Sequence, residues 1–425
     1  MRELADRALF QGAVVMSRGG RIDYAAGFGF ANIEQRLPFT PDTPTDAASI
    51  AKTFTAAALL MLATEQRVDL ETPVRSVLPE YPHVATRLRH LLSHSAGLPD
   101  YEWLDSRAAA GEVRTNPSHL ALVAGDAPAP GFAPGSEFAY DNVAYDVAAM
   151  VVERITGSSY AQVVSERFMR PLGLNGFVRP ARFTDWPGLR TRGYRRTASG
   201  WQDHDAHDLE GFHGAGNIYL SARDLCRWAE GYRRVVGPDS SRAALAPAGL
   251  DGGRTTGLSL GSWYVSTDGT RRYYTGHHNG FHSFAYADEG RGLAIAWVAN
   301  DAPPPWLQPA LARALVAIAE GREPERLEPP AAALAPADPD GVYRVAGVGE
   351  VAISRHGRKL RLRLRGVGYD GFGYGGFAVA RGVHYVPGLD AYLRLTALPE
   401  GGAALSWDSV FVAAAGVLRQ RPEDQ

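Results

Sequence analysis

The sequence predicts an α/β fold, an antiparallel sheet flanked by helices with a largely helical region inserted, followed by a C-terminal antiparallel β-barrel-like module. Three observations predict it. Strand-like stretches lie at both ends of the first 300 residues, Gly12 to Phe30 and Leu258 to Ala299. Long apolar helical runs lie between them. A Pro- and Ala-rich passage then precedes short alternating strands. A chain of 425 residues, 45% hydrophobic and 21% charged, has ample material for such cores.

Each element has a local reason. Gly12 to Phe30 alternates apolar and polar residues between glycines and reads as paired strands. Ser49 to Gln66 repeats Ile50, Phe54, Ala57, Ala58, Met61 and Leu62 at helical spacing, and its centre is apolar nearly all round, so it should be a buried helix. Val143 to Thr156 is helical and stops at Gly157, a good C-terminal cap. Leu258–Val265, Arg272–Thr275, His282–Ala287 and Leu293–Ala299 read as successive strands, and Leu307–Ala319 as a closing helix. Gly321 to Asp340 reads as a linker. Beyond it, Lys359 to Arg365 alternates strictly, as a strand with one buried and one wet face does. Shorter strands follow near Val383–Val386, Tyr392–Thr396 and Ala404–Val412. The expected domains are 1–322, a linker at 323–336, and a barrel at 337–425.

Composition limits function. A formal net charge of −2 gives no basic field for nucleic acid or an anionic membrane. The single cysteine, Cys226, cannot form an intrachain disulfide and lies in a helical stretch, so it reads as buried filler. Charges in Met1 to Asp6 interrupt any leader-like apolar segment, and no run approaches the roughly 18 apolar residues of a membrane span. The expectation is a cytoplasmic protein with a small-molecule or peptide substrate, no nucleic-acid or membrane partner and no cofactor; the oligomeric state is left open.

Three short motifs carry chemistry. Ser49 and Lys52 lie three residues apart at a helix start, on one face, so the amine can reach the hydroxyl. A serine hydroxyl needs a base, and a neighbouring lysine can be that base. Near a helix N-terminus, unpaired N–H groups also favour developing negative charge. Taken alone, the pair reads equally as a solvated Ser and Lys. Tyr140 and Asn142 sit on a loop just before a helix; a tyrosine hydroxyl can relay a proton, and Asn142 can hold a substrate amide and orient Lys52, or simply cap the helix. Gly276 to Phe281 contains two histidines and Gly280 between strands. His278 followed by Gly280 would supply a polar group and a close backbone approach. The N–H of Phe281 could then join that of Ser49 as an oxyanion hole. His277 offers a second register for the same motif.

In this order the three motifs resemble those of the penicillin-recognising serine hydrolases: class C β-lactamases, DD-peptidases, D-aminopeptidases, β-lactamase-like esterases, acyltransferases and peptide cyclases. His90 to Pro99, Ala144 to Leu174 and Gly214 to Leu225 resemble further family segments, so the likeness covers roughly residues 10–320. It implies that Ser49 is acylated, Lys52 is its base and Tyr140 is the second acid–base group. Asn142 would be a substrate-amide ligand. His278 would stand where many members carry lysine, as a weaker and pH-dependent anchor for a substrate carboxylate. That favours peptidase-, esterase- or acyl-transferring chemistry over a true β-lactamase. Asp141 stands where serine is common. The appended barrel, lipocalin-like in this resemblance, can border the active site or support oligomers in relatives.

The implied activity is a serine hydrolase acting through an acyl-enzyme on peptide-like amides, D-residues included, or on esters. The alternatives are an acyltransferase or cyclase with an amine or alcohol acceptor, and a non-catalytic binding module. Gly257 to Gly261 fits G-x-S-x-G, but strand rather than helix is expected after it. Gly366 to Gly371 fits G-x-G-x-x-G with no helix following. Asp203, His204, Asp205, His207 and Asp208, with His213, could ligate a metal for a metal hydrolase, but read more simply as a solvated loop.

Overall fold

A computed structural model of the chain describes all residues except 100, 108, 110, 127–128, 183–189, 198, 206–209, 302, 305, 329–339, 346–347, 357–358, 366–372, 381–382, 387–390, 398–402, 410–412 and 421–425. The chain forms two compact units: residues 1–134, 141–246 and 259–303 in the first, residues 135–140, 247–258 and 304–425 in the second.

The first unit is built on a six-stranded antiparallel sheet in the order Tyr264–Val265, Arg271–His278, Phe281–Asp288, Leu293–Ala299, Gly12–Arg18, Arg21–Phe28. The N-terminal strand joins strands almost 300 residues away, from Gly12 opposite Ala299 to Arg18 opposite Leu293. Phe281–Asp288 and Leu293–Ala299 are buried at every residue. That explains their unbroken apolar character, because both sheet faces are covered. Helix Ala222–Val236 packs across these strands. Its start is fixed by a capping box in which the Ser221 hydroxyl accepts from Asp224 N–H and the Asp224 carboxylate reaches back to Ser221 N–H. Leu225, Trp228, Ala229 and Tyr232 form its buried stripe. Cys226 lies on this helix with Sγ 3.4 Å from Ser17 Oγ, and burial pushes its thiol up to about 12, so it stays an unreactive core residue.

Helix Ala51–Thr64 follows a short 3-10 turn, Ala48–Ile50. Strong helix formers (Ala, Leu, Met) fill it, and it is buried on all sides through its centre. Phe54 stacks on Trp228 with centroids 3.7 Å apart. Trp228 Nε1 donates to Thr53 Oγ1 at 2.9 Å, and Thr53 donates in turn to Ile50 O at 2.7 Å. The sheet-covering helix thus fixes the turn that carries Ser49. Helix Val143–Thr156 ends where expected, with Gly157 at φ 71°.

One expected strand differs. Leu258–Val265 is two strands, Thr255–Ser259 and Tyr264–Val265, separated by a tight turn with Ser262 at φ 61° and Ser259 N–H donating to Trp263 O at 2.8 Å. Ser259 is buried, its hydroxyl accepts from Trp263 N–H, and no helix follows. The G-x-S-x-G match is therefore a turn and not a nucleophile elbow.

The second unit contains helix Leu307–Ala319 and eight strands: Gly341–Val345, Gly349–His356, Lys359–Arg365, Gly373–Ala380, Val383–Val386, Ala391–Ala397, Ala403–Asp408 and Ala413–Gln420. They pair antiparallel in sequence order, and the last pairs back on the first, closing a barrel. Leu360, Leu362 and Leu364 are buried while Arg363 is exposed, as the alternation requires. The expected strand Ala404–Val412 corresponds to Ala403–Asp408, and a further strand, Ala413–Gln420, lies beyond its expected end. Helix Leu307–Ala319 groups with the barrel instead of the sheet unit. Arg313 explains this, since it binds the Asp408 carboxylate and donates to Ser409 O at 2.7 Å. Most of the expected linker and Gly366 to Gly371 lie outside the described residues.

Candidate active site

Ser49 sits on the 3-10 turn with buried neighbours Ala48 and Ile50, and is itself partly open to solvent. The residue before it is strained: Ala48 has φ 47°, in the left-handed region that a Cβ disfavours. Such strain persists only where surroundings over-determine it. Here they do. Ala48 N–H donates to Asp46 Oδ1 at 2.8 Å, Ile50 N–H donates to Ala47 O at 3.1 Å, and Ser283 Oγ donates to Ala47 O at 2.7 Å.

Lys52 is fully buried one turn along. Its Nζ lies 3.1 Å from Ser49 Oγ, 2.8 Å from Asn142 Oδ1 and 3.0 Å from Ala215 O. Two N–H groups directed at Asn142 and Ala215 leave the third position, toward Ser49, for either a proton or a lone pair. The three partners therefore suit both states of a base that takes and returns the serine proton. Tyr145 lies under the amine, its ring centroid 5.7 Å from Nζ.

Asn142 begins helix Val143–Thr156 but does not cap it with its side chain. Asp141 does, its Oδ1 accepting from Ala144 N–H at 3.0 Å. This division of labour leaves the Asn142 amide for Lys52. His94 braces the same turn, with Nδ1 accepting from Asp141 N–H at 3.0 Å. Burial, with the Lys52 charge, depresses His94 to about 3, so its ring stays neutral. Burial raises Asp141 to about 7 against helix N–H bonds that lower it.

That shift makes a stability prediction. Asp141 ionises near 3.8 in the unfolded chain but only near 7 in the folded one, so its burial costs stability progressively from about pH 4 to pH 7 and uniformly above. Asp141→Asn keeps a capping oxygen. It should therefore stabilise the fold by about 2–4 kcal/mol at pH 8, with no gain below pH 4. Urea unfolding at the two pH values checks this; an equal effect at both would contradict it.

The third motif differs from its sequence reading. The glycine packed against the nucleophile turn is Gly276: a Cβ there would lie 2.4 Å from Ala47 O and 3.0 Å from Ala48 Cβ. Gly280 instead abuts Gly193 and Tyr194, where a Cβ would lie 2.4 Å from Tyr194 N. Phe281 is fully buried and faces His278 across a two-residue hairpin turn. Residues flanking such a turn exchange N–H···O bonds, so the Phe281 N–H belongs to the hairpin. The next pair, His277 with His282, is non-bonded across that ladder, which turns the His277 N–H to the opposite edge. By this packing and register, Gly276 and the His277 N–H are candidates for the roles expected of Gly280 and the Phe281 N–H.

His278 shares the Gly276 face of its strand. Its Nδ1 is 3.0 Å from Asp46 Oδ2 and its Nε2 3.2 Å from Glu210 Oε2. Burial acts to lower its pKa, but the hydrogen bonds and charges of the two carboxylates outweigh it and raise His278 to about 10. The expected pH-dependent anchor is instead an imidazolium held charged across the neutral range. Asp46 and Glu210 were missed because they lie 232 and 68 positions away in sequence; Asp46, three residues before the serine, was the one local signal.

Tyr140 ends the segment 135–140, grouped with the second unit. There Arg254 donates to Ser136 O and Asp251 N–H donates to Gly135 O at 2.9 Å. Chain continuity places Tyr140 two residues before Asn142, within about 7 Å between Cα atoms. Of the acidic and histidine loop, His207 and Asp208 lie outside the described residues. His213 Nε2 is 2.7 Å from Arg179 O. Among the described residues no group of three or more His, Cys, Asp or Glu is placed to hold a metal ion, and no helix is long and apolar enough to cross a membrane.

A strained turn thus presents a serine to a buried lysine beside an antiparallel sheet. The Beta-lactamase family model matches residues 1–320, and the chain belongs to that family of serine hydrolases. Penicillin-binding protein 4* of Bacillus subtilis (strain 168) is 24% identical over 310 residues, covering 66% of this chain and 65% of that protein, just under two thirds of its length. The structure of the octameric penicillin-binding protein homologue from Pyrococcus abyssi matches with a TM-score of 0.63 and 20% identity over 97% of each chain. D-amino acid amidase from Ochrobactrum anthropi SV3 matches with a TM-score of 0.58 and 23% identity, over 70% of this chain and 88% of that one. At these identities the structural likeness is one of fold.

Proposed function

We propose that the chain hydrolyses peptide-like amides, D-residue-containing ones included, or esters through an acyl-enzyme on Ser49. The carrying observation is the Lys52 amine, 3.1 Å from Ser49 Oγ and fixed by Asn142 and Ala215. In this reading Lys52 takes the hydroxyl proton as Oγ attacks the carbonyl carbon. The oxyanion rests on the N–H groups of Ser49 and His277. The leaving group departs with a proton passed from Lys52 by way of Tyr140, and water then attacks the ester, giving the acid and restoring Ser49. An amine in place of water would make the same intermediate a transferase or cyclase. Likeness in fold to an amidase acting on D-amino acid derivatives supports the amide and D-residue part of the reading.

A small panel tests it: p-nitrophenyl acetate with D- and L-alanine p-nitroanilides. Expected are a nitrophenolate burst of about one per chain, the signature of acyl-enzyme build-up, turnover of the D-anilide, and loss of both in Ser49→Ala. Undiminished turnover in Ser49→Ala would overturn the proposal.

A further inference from the structure

The His278 cluster bears on which substrates the site accepts, an inference that rests on Ser49 being the acylated residue. His278 lies between two carboxylates, at 3.0 Å from Asp46 and 3.2 Å from Glu210. Asp46 also holds the Ala48 N–H beside Ser49, so the cluster begins at the nucleophile turn. Glu210 continues outward to Arg114, which also binds Asp105. Buried Arg179 feels the charges of Asp46 and Glu210, and the Phe212 ring lies 6.4 Å from the imidazole. Positive and negative charges alternate along the whole row. A substrate carboxylate arriving at His278 would meet a cation already matched by two anions. It would also lose hydration for no net gain in charge pairing.

We propose that Glu210 is a positioning residue for charge selectivity: by sharing the His278 imidazolium with Asp46, it makes the site select acyl donors that are neutral or carry an ammonium there, and reject those carrying a carboxylate. Removing the Glu210 charge would leave the cluster one unit more positive and return part of the His278 charge to the substrate.

The test uses two fluorophosphonates of equal chain length, one ending in methyl and one in carboxylate. In each labelling event Ser49 Oγ bonds to phosphorus, fluoride leaves and the hydroxyl proton passes to Lys52. Second-order labelling rates at Ser49 are read by intact mass. In the unmodified protein the neutral probe should label at least about tenfold faster, with a ratio flat from pH 6 to 9. In Glu210→Gln the ratio should fall about tenfold, the size of a charge change worth about 1.4 kcal/mol. It should also become pH-dependent, rising again as the less strongly held His278 loses its proton. Arg114→Gln, which leaves the Glu210 charge in place, should keep or increase the preference; it separates selectivity from damage to the ion-pair row. A preference for the carboxylate probe in the unmodified protein, or an unchanged ratio in Glu210→Gln, would overturn the proposal. Failure of both probes to label Ser49 would overturn the Ser49 reading itself, and this one with it.

Discussion

Replacing Lys52 by methionine should lower kcat/KM on an activated ester by about 10²–10⁴-fold, the range of a lost general base. Methionine keeps most of the volume of a fully buried side chain but has no basic atom. Without the amine, Ser49 must lose its proton to solvent while its Oγ is attacking. Asn142 Oδ1 and Ala215 O, which now receive Lys52 donors at 2.8 and 3.0 Å, also lose their partner. That adds about 1–3 kcal/mol of instability for each group left unmatched. The rate loss should therefore come with a measurable fall in melting temperature but with retained secondary structure by circular dichroism. A rate within tenfold of the unmodified protein would show that Lys52 is not the base.

Gly276→Val carries the second-largest expected effect, about 100-fold in kcat/KM, because roughly an ångström of misplacement at a reacting group costs that much. A Cβ at Gly276 would lie 2.4 Å from Ala47 O and 2.5 Å from Ser283 Oγ, the same hydroxyl that donates to Ala47 O. Either the strand or the turn must move, and the turn already holds Ala48 at φ 47°. Gly125→Ala is the matched control: no atom lies within 4 Å of its Cβ, so the rate should be unchanged. A Gly276→Val protein with ordinary activity would contradict the close packing of strand and nucleophile turn.

The fold was legible wherever local pattern and burial agree. Val143–Thr156, Leu293–Ala299, Leu307–Ala319 and Lys359–Arg365 begin and end where periodicity and capping place them. The break between Ser259 and Tyr264 was passed over, although Gly261-Ser262 is a turn-forming pair between the two runs; Ser262 takes φ 61° there. At the site, the Ser49–Lys52 distance follows from helix geometry. The partners of Lys52 do not, since Asn142 and Ala215 come from 90 and 163 positions away.

Residue type identified the third motif, but spacing could not set its register. Both Gly276 and Gly280 flank the histidines, and only the pairing of His278 with Phe281 shows which edge each N–H faces. The charge state of His278 was equally hidden. A histidine in isolation titrates near neutrality. Two carboxylates brought to its two ring nitrogens by the fold keep it protonated up to about pH 10. Asp141 shows the same limit: the structure, not the sequence, makes it the helix cap in place of Asn142, and only burial makes its carboxyl protonate near neutral pH.

The central claim is that Ser49 becomes acylated with Lys52 as its base. Fluorophosphonate labelling followed by intact-mass analysis and peptide mapping tests it most directly. One adduct per chain is expected, on the peptide containing Ser49, absent in Ser49→Ala and formed far more slowly in Lys52→Met. An adduct on any other residue, or equal labelling of Ser49→Ala, would contradict it.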